Sequence, residues 1–169
     1  VLRLKPGTDI LLIDRSGQKY AADLVSVERN KTIAQVISRT LENNESSVEI
    51  TVATGILKEK KMDKILRQLT ELGVTAWVPF YTQRSVPVAD KKKGVSKLER
   101  WKKITIESLK QCERNVIPKI HWPLDFNGLM KESDQFECKL VFHERKKGML
   151  DGITQLQNMR RVLIVFGPE

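Results

Sequence analysis

Two cysteines, two histidines and few aromatic residues (6%) in a chain of 169 remove several classes of protein at once. Cys112 and Cys138 make neither a disulfide framework nor a CxxC metal pair, and both read as free thiols in a reducing compartment. With only His121 and His143 in the sequence, neither fixed near Cys112, a catalytic thiol lacks its activating base. No metal is implied. No apolar run approaches the roughly 20 residues of a membrane helix, and Val1-Leu2-Arg3-Leu4-Lys5-Pro6 carries no signal-peptide pattern, so a cytoplasmic protein without a membrane segment is expected. Walker loop, GxGxxG, HExxH, EF-hand and GxSxG patterns are all missing, which takes away the best-known signatures of phosphate-loop hydrolysis, dinucleotide oxidoreduction, zinc proteolysis and serine esterase chemistry.

What is present is a globular mix, 40% apolar and 30% charged, with a formal charge of +9. The excess is localised. Residues 1–47 hold 7 basic and 6 acidic groups, residues 48–124 hold 16 and 8, and residues 125–169 hold 7 and 7. A basic middle of this kind suits a polyanionic partner, because each Lys or Arg set against a phosphate releases condensed counterions, although it also suits a merely soluble surface.

The first 47 residues read as β structure. Asp9-Ile10-Leu11-Leu12-Ile13-Asp14 lies between Lys5-Pro6-Gly7 and Arg15-Ser16-Gly17, and stretches from Gln18 to Glu28 and from Thr32 to Thr40 alternate roughly as two further strands. The joint Arg29-Asn30-Lys31 predicts an antiparallel hairpin, and three or four such strands predict a small barrel or half-barrel. Residues 41–47 form a polar linker, dividing the chain into 1–47 and 48–169. Beyond it, strands alternate with helices. A strand from Val48 to Thr54 ends at Gly55. A helix from Lys60 to Leu72 places Met62, Ile65, Leu66, Leu69 and Leu72 on one face, with Gly73 ending it. A strand from Val74 to Tyr81 contains Pro79, which hints at an edge or a strand end, and a helix runs from Lys97 to Arg114. Lys139 to His143 and Arg161 to Phe166 are apolar enough for central strands, and the whole reads as an α/β layer with a parallel sheet and crossover helices. The chain opens without an initiator Met and stops just after a core-type strand, so a portion of a longer protein is expected.

Four constellations could carry chemistry. Lys60, Lys64 and Arg67, with Lys61 beside them, fall on one helix face and either track a phosphate backbone or form the wet side of the helix. Arg84, in Thr82-Gln83-Arg84-Ser85 past a strand end, offers a donor fork for phosphate or carboxylate. Gln111, Arg114 and Asn115 at a helix end either meet base edges or satisfy the helix's own last carbonyls. Phe166-Gly167-Pro168-Glu169 turns abruptly after a strand, where Gly167 lets backbone approach a ligand.

Taken in order, Val1-Leu2-Arg3-Leu4-Lys5-Pro6-Gly7, Lys61-Met62-Asp63, Thr70-Glu71-Leu72-Gly73-Val74, Pro79 with Gln83-Arg84-Ser85, Gln111-Cys112-Glu113-Arg114-Asn115 with Pro118, and Phe166-Gly167-Pro168-Glu169 resemble the RsmE family of 16S ribosomal RNA uridine N3-methyltransferases, in the SPOUT (trefoil-knot) superfamily. The resemblance implies a PUA-like β-barrel that binds RNA over 1–47, a SPOUT α/β knot domain over 48–169 whose closing knot portion lies outside this sequence, S-adenosylmethionine as methyl donor, and a homodimer acting on the small ribosomal subunit. It implies a donor pocket drawing on Phe142, His143, Gly167, Pro168 and Glu169, catalytic roles for Arg84, Arg114 and Glu169, and RNA contacts from Arg3, Lys60, Lys61, Lys64, Arg67, Arg84, Gln111, Arg114 and Asn115. The competing readings are a non-catalytic RNA-binding or ribosome-assembly protein and a metabolic α/β enzyme with incidental basic charge.

Overall fold

The computed structural model describes residues 4–14, 18–40, 46–82, 91–112, 114, 116–143 and 158–167, with the backbone alone at 59 and 91–93. The chain divides into two compact units, Val1–Glu45 and Ser46–Glu169.

In the first unit, β1 (Asp9–Ile13), β2 (Lys19–Val27) and β3 (Thr32–Thr40) form an antiparallel sheet in that order. The Arg29-Asn30-Lys31 joint makes the expected hairpin, closed by the Glu28 amide donating to the Lys31 carbonyl at 2.9 Å. Register shifts at Ala21/Ala22 and Leu24/Ser26 mark where β2 departs from regular pairing, as bulges do when a strand bends. Ala22 and Leu24 are buried, and among the described residues this unit forms a three-stranded antiparallel sheet.

The second unit is built on five parallel strands. In chain order come β4 (Glu49–Gly55), α1 (Glu59–Glu71), β5 (Ala76–Phe80), α2 (Lys91–Cys112), β6 (Lys119–Ile120), α3 (Phe126–Ser133), β7 (Cys138–Phe142) and β8 (Arg161–Phe166). The sheet order is β6-β5-β4-β8-β7. β4 lies centrally, and its β-branched run Ile50-Thr51-Val52 with Ala53 and Thr54 is small enough to be covered on both faces; Thr51 through Gly55 are buried.

Alternation along the strands sends side chains to two separate clusters. On one face, Ala53, Val78, Phe80 and Leu163 pack with Leu129 of α3. On the other, Trp77 packs with Met62 and Leu66 of α1 and Trp101 and Ile104 of α2. The Trp77 and Trp101 rings meet edge to face, centroids 4.8 Å apart, and the Trp77 indole donates to Thr54 Oγ1 at 2.9 Å, so this buried polar group is satisfied. α1 and α2 therefore cover one face and α3 covers part of the other.

Local signals explain most boundaries. α1 ends where Gly73 adopts φ +90°, with the Val74 amide donating to Leu69 O at 3.1 Å and the Gly73 amide to Thr70 O at 3.3 Å, the two-bond terminator that a left-handed glycine permits. Three features refine the sequence reading. Pro79 is the next-to-last residue of β5, a strand end rather than a sheet edge, since β5 lies between β4 and β6; the carbonyls of Trp77 and Pro79 accept from His121 and Leu124, so the proline's missing donor faces the flank where β6 has only two residues. α2 begins at Lys91 rather than Lys97, its first turn being too rich in lysine to show an apolar stripe, and it ends at Cys112. β6 and α3 carried no periodic pattern of useful length, although Asp125 caps α3 by accepting from the Gly128 amide at 2.6 Å and Asp is a favoured capping residue.

Trp77→Phe keeps the aromatic packing but removes the bond to Thr54. It is expected to lower the unfolding free energy by about 1–3 kcal/mol in a urea titration, with donor and acceptor loss adding to a small cavity.

Candidate functional site

The helices cover the sheet unevenly, and that creates the principal crevice. In register across adjacent strands lie Thr54 of β4, Phe166 of β8 and Phe142 of β7, at the last residues of β8 and β7 and next to the end of β4. Thr54 sits under α1. Phe166 and Phe142 lie beyond it and stack with centroids 4.9 Å apart and 19° between planes, yet remain 38% and 44% exposed. Two large aromatic rings left this open at the carboxyl ends of parallel strands form a ready platform for a flat ligand.

The cavity over this row measures about 700 Å³, within the range that holds a small-molecule cofactor. Its rim is Thr54, Gly55, Phe142, His143, Phe166 and Gly167, and its flank is Leu57 with the α1 residues Ile65, Gln68, Leu69 and Leu72. Gly55 and Gly167 end two neighbouring strands, and among the described residues nothing lies within 4 Å of where a Cβ on Gly167 would stand, which leaves room there for a ligand against bare backbone. Leu72, expected on the buried stripe of α1, keeps helical backbone at the C-cap but is 78% exposed, because the stripe there faces the open crevice.

Phe142, His143 and Gly167 thus line one cavity. Pro168 and Glu169 lie outside the described residues, as do Arg3, Arg84 and Asn115. Lys60, Lys61, Lys64 and Arg67 are all exposed on α1, on the side away from Met62 and Leu66, and Gln111 is exposed at the end of α2. The cavity-lining residues missed from sequence, Thr54, Gly55, Ile65, Gln68 and Leu69, carried one usable signal: Gly55 closes a parallel strand just as Gly167 does.

Arg114 has a definite structural place. Its Nη1 donates to Thr70 O at 2.8 Å and to Val74 O at 3.2 Å. The guanidinium therefore ties down carbonyls at a helix end, but the end is that of α1, not of its own helix α2. Asp63 of α1 and Arg100 of α2 pair across the same helix junction.

A second, smaller cavity of about 260 Å³ lies at the opposite, amino-terminal end of the sheet, where Glu49, Lys119, His121, Glu132, Gln135 and Arg161 gather. Its charges largely answer one another: Arg161 Nη2 donates to Gln135 Oε1 at 2.8 Å and Nε lies 3.8 Å from Glu49 Oε2. Burial, aided by Lys119 and opposed by Glu132, holds the His121 imidazole below its usual pKa. Among the described residues no cluster of three or more His, Cys, Asp or Glu could hold a metal, and no helix is long and apolar enough to cross a membrane.

Comparison with known proteins agrees with this geometry. Residues 44–169 match the RNA methyltransferase domain family. The chain is 34% identical to the ribosomal RNA small subunit methyltransferase E of Bacillus subtilis, over all of this chain and 68% of that protein. It is 33% identical to the protein of the same name from Synechocystis, over all of this chain and 55% of the relative. The Mesomycoplasma hyopneumoniae counterpart, also 33% identical, matches over 86% of this chain and 63% of its own length. The chain thus spans about half to two thirds of the length of these relatives. Among solved structures, ribosomal RNA small subunit methyltransferase E from Neisseria gonorrhoeae bound to S-adenosyl methionine superposes with a TM-score of 0.83 at 27% identity, over 98% of this chain and 68% of that one.

Two outcomes follow from the side-chain geometry. Arg114→Met removes the tie to the α1 terminus and is expected to cost about 1–3 kcal/mol in unfolding free energy, measured by chemical denaturation. Because His121 titrates lower in the folded than in the unfolded chain, the folded state binds fewer protons; stability should therefore fall as pH drops through about 6.5, and His121→Gln should flatten that slope in denaturation midpoints taken between pH 7.5 and 5.

Proposed function

Since the chain belongs to the ribosomal RNA small subunit methyltransferase E family of RNA methyltransferase domains, we propose that it forms the donor-binding part of an enzyme that methylates N3 of a uridine in 16S ribosomal RNA with S-adenosylmethionine. The observation that carries this reading is the crevice at the ends of β4, β8 and β7, where an open aromatic pair, two strand-terminal glycines and an apolar helix flank converge.

The residues present suit such a donor. Phe142 and Phe166 provide a face for a purine ring, Gly167 leaves its backbone accessible, and Ile65 and Leu69 present apolar contacts, while Thr54 and Gln68 add polar groups. When bound, the donor supplies an electrophilic sulfonium methyl, so the protein's task lies with the acceptor. Uridine N3 carries a proton and is a weak nucleophile until it leaves; the site must accept that proton or stabilise the resulting anion while holding N3 in line with the methyl group. Arg84 and Arg114 are assigned to the anion and to phosphate, Glu169 to proton transfer or pocket structure, and Pro168 with Glu169 to completing the donor site. Arg114 is held by the Thr70 and Val74 carbonyls where the chain enters β5, away from the carboxyl-terminal crevice, so its assignment is to phosphate rather than to the reacting base. Lys60, Lys61, Lys64, Arg67, Gln111, Asn115 and Arg3 are assigned to the RNA, the amino-terminal unit to a PUA-like RNA-binding barrel, and the whole to a cytoplasmic homodimer with a knotted carboxyl-terminal half.

The test uses the full-length protein. Phe166→Ala and Phe142→Ala should each weaken S-adenosylmethionine binding about tenfold by calorimetry, equivalent to roughly 1.4 kcal/mol. Arg84→Ala should reduce methyl transfer to small-subunit RNA more than tenfold with donor affinity unchanged. Mass spectrometry of the product should place one methyl group on a uridine. Wild-type protein that binds RNA but neither donor nor methyl group would favour the non-catalytic assembly protein instead.

A further inference from the structure

Outside the crevice, the most unusual side-chain placement in the second unit belongs to Trp122. Of the three tryptophans in the sequence, Trp77 and Trp101 are buried, whereas Trp122 is 45% exposed. It follows the edge strand β6 in a segment that continues beside β5, His121 donating to Trp77 O and Leu124 to Pro79 O. There its six-membered ring rests on α2 at Gly94: a Cβ at that position would stand 2.6 Å from Trp122 Cη2 and 2.8 Å from Cζ2. Glycine inside a helix costs about 1 kcal/mol relative to alanine, yet here it is the residue that lets the indole seat against the helix backbone. One edge of the ring is held and much of the rest is left to solvent.

The surroundings specify the partner's charge. Lys91, Lys92 and Lys93 occupy the first turn of α2 immediately before Gly94. Crossover helices run antiparallel to the strands they connect, so the first turns of α1 and α2 both lie toward the carboxyl-terminal rim of the sheet. That rim therefore carries the exposed Lys60, Lys61 and Lys64 of α1, the lysines of α2, and the crevice. A rigid, half-open aromatic ring beside a lysine run suits a polyanion with stackable bases; an aromatic surface for an apolar peptide would have little use for that charge. In the sheet order, the flank of β6 is three strand spacings from β8, about 14 Å, a span a few unpaired nucleotides cover.

We propose that Trp122, seated on Gly94 in the helix that opens with the Lys91-Lys92-Lys93 run, is a stacking platform for an unpaired nucleotide near the target, binding the RNA strand as it leaves the crevice along the sheet rim. The proposal rests on the reading of the partner as RNA, and deepens it by naming a single-stranded segment and the residue that stacks on it. It does not depend on methyl transfer.

The test measures binding of the full-length protein to single-stranded oligonucleotides from small-subunit RNA, with Trp122→Leu, Trp122→Phe and Gly94→Val compared with wild type. Stacking predicts that Trp122→Leu loses at least fivefold in affinity, that Trp122→Phe keeps most of it, and that Gly94→Val, which displaces the ring, behaves like the leucine variant. Oligonucleotide should also protect the exposed tryptophan emission from acrylamide quenching. S-adenosylmethionine affinity, measured in parallel, should be unchanged in the Trp122 variants and reports that the fold is intact. Equal RNA affinity for wild type and Trp122→Leu, or emission that stays fully quenchable in the complex, would overturn the platform, even if the enzyme methylates RNA normally. Weaker RNA binding by Trp122→Leu than by a wild type that itself never transfers a methyl group would leave the platform standing and sink the methyltransferase reading.

Discussion

The second unit depends on the burial of one tryptophan. Trp77 sits on β5 beneath both crossover helices, touching Trp101 of α2 edge to face and giving its only polar hydrogen to Thr54 of β4. That bond joins two neighbouring strands through their side chains, and the ring fills the space that Met62 and Leu66 of α1 close from above. Because α1 and α2 are drawn to Trp77, they cover β4, β5 and β6. The β8 and β7 end of the same face is left without them, and there Phe166 and Phe142 remain open. Packing at one end of the sheet thereby produces the crevice at the other.

A row of residues makes this visible. Pro79, Thr54, Phe166 and Phe142 are mutual neighbours across four parallel strands. At one end of the row the side chain is fully buried; at the other it is a half-exposed aromatic ring. The family relationship gives this gradient a meaning, since an RNA methyltransferase needs a covered scaffold and an open platform on one rigid sheet. Phe166 on β8 is held by ladders on both sides, to β4 and to β7, and Phe142 on the edge strand β7 is held against it by one, so the platform is anchored at its inner ring.

Arg114 illustrates how local reading can identify the right chemistry and the wrong partner. Its place at the end of a basic helix suggested either a nucleic-acid contact or a cap for that helix. It in fact reaches the α1 terminus, where Gly73 turns the chain and leaves the carbonyls of Thr70 and Val74 accessible. Residues 44 positions apart in the chain meet there, and no periodicity or propensity records such a meeting. Leu72 shows the converse: it continues the apolar stripe of α1 in space as in sequence, but the stripe ends over the open crevice and the side chain stays exposed there.

Much was settled by the order of residues alone. The antiparallel hairpin at Arg29-Asn30-Lys31, the parallel α/β alternation, the stop at Gly73 and the strand end at Phe166-Gly167 rest on local rules of twist, helix periodicity and left-handed backbone, and these act over a few neighbours whatever the rest of the chain does. The short β6, the strand order β6-β5-β4-β8-β7, the stacking of Phe142 on Phe166 and the seat of Trp122 on Gly94 were decided only in three dimensions. Each joins residues far apart in the chain through contacts whose energy exists only once the sheet has formed. Composition can supply such aromatic rings and glycines, but only the packed layers determine which of them come face to face.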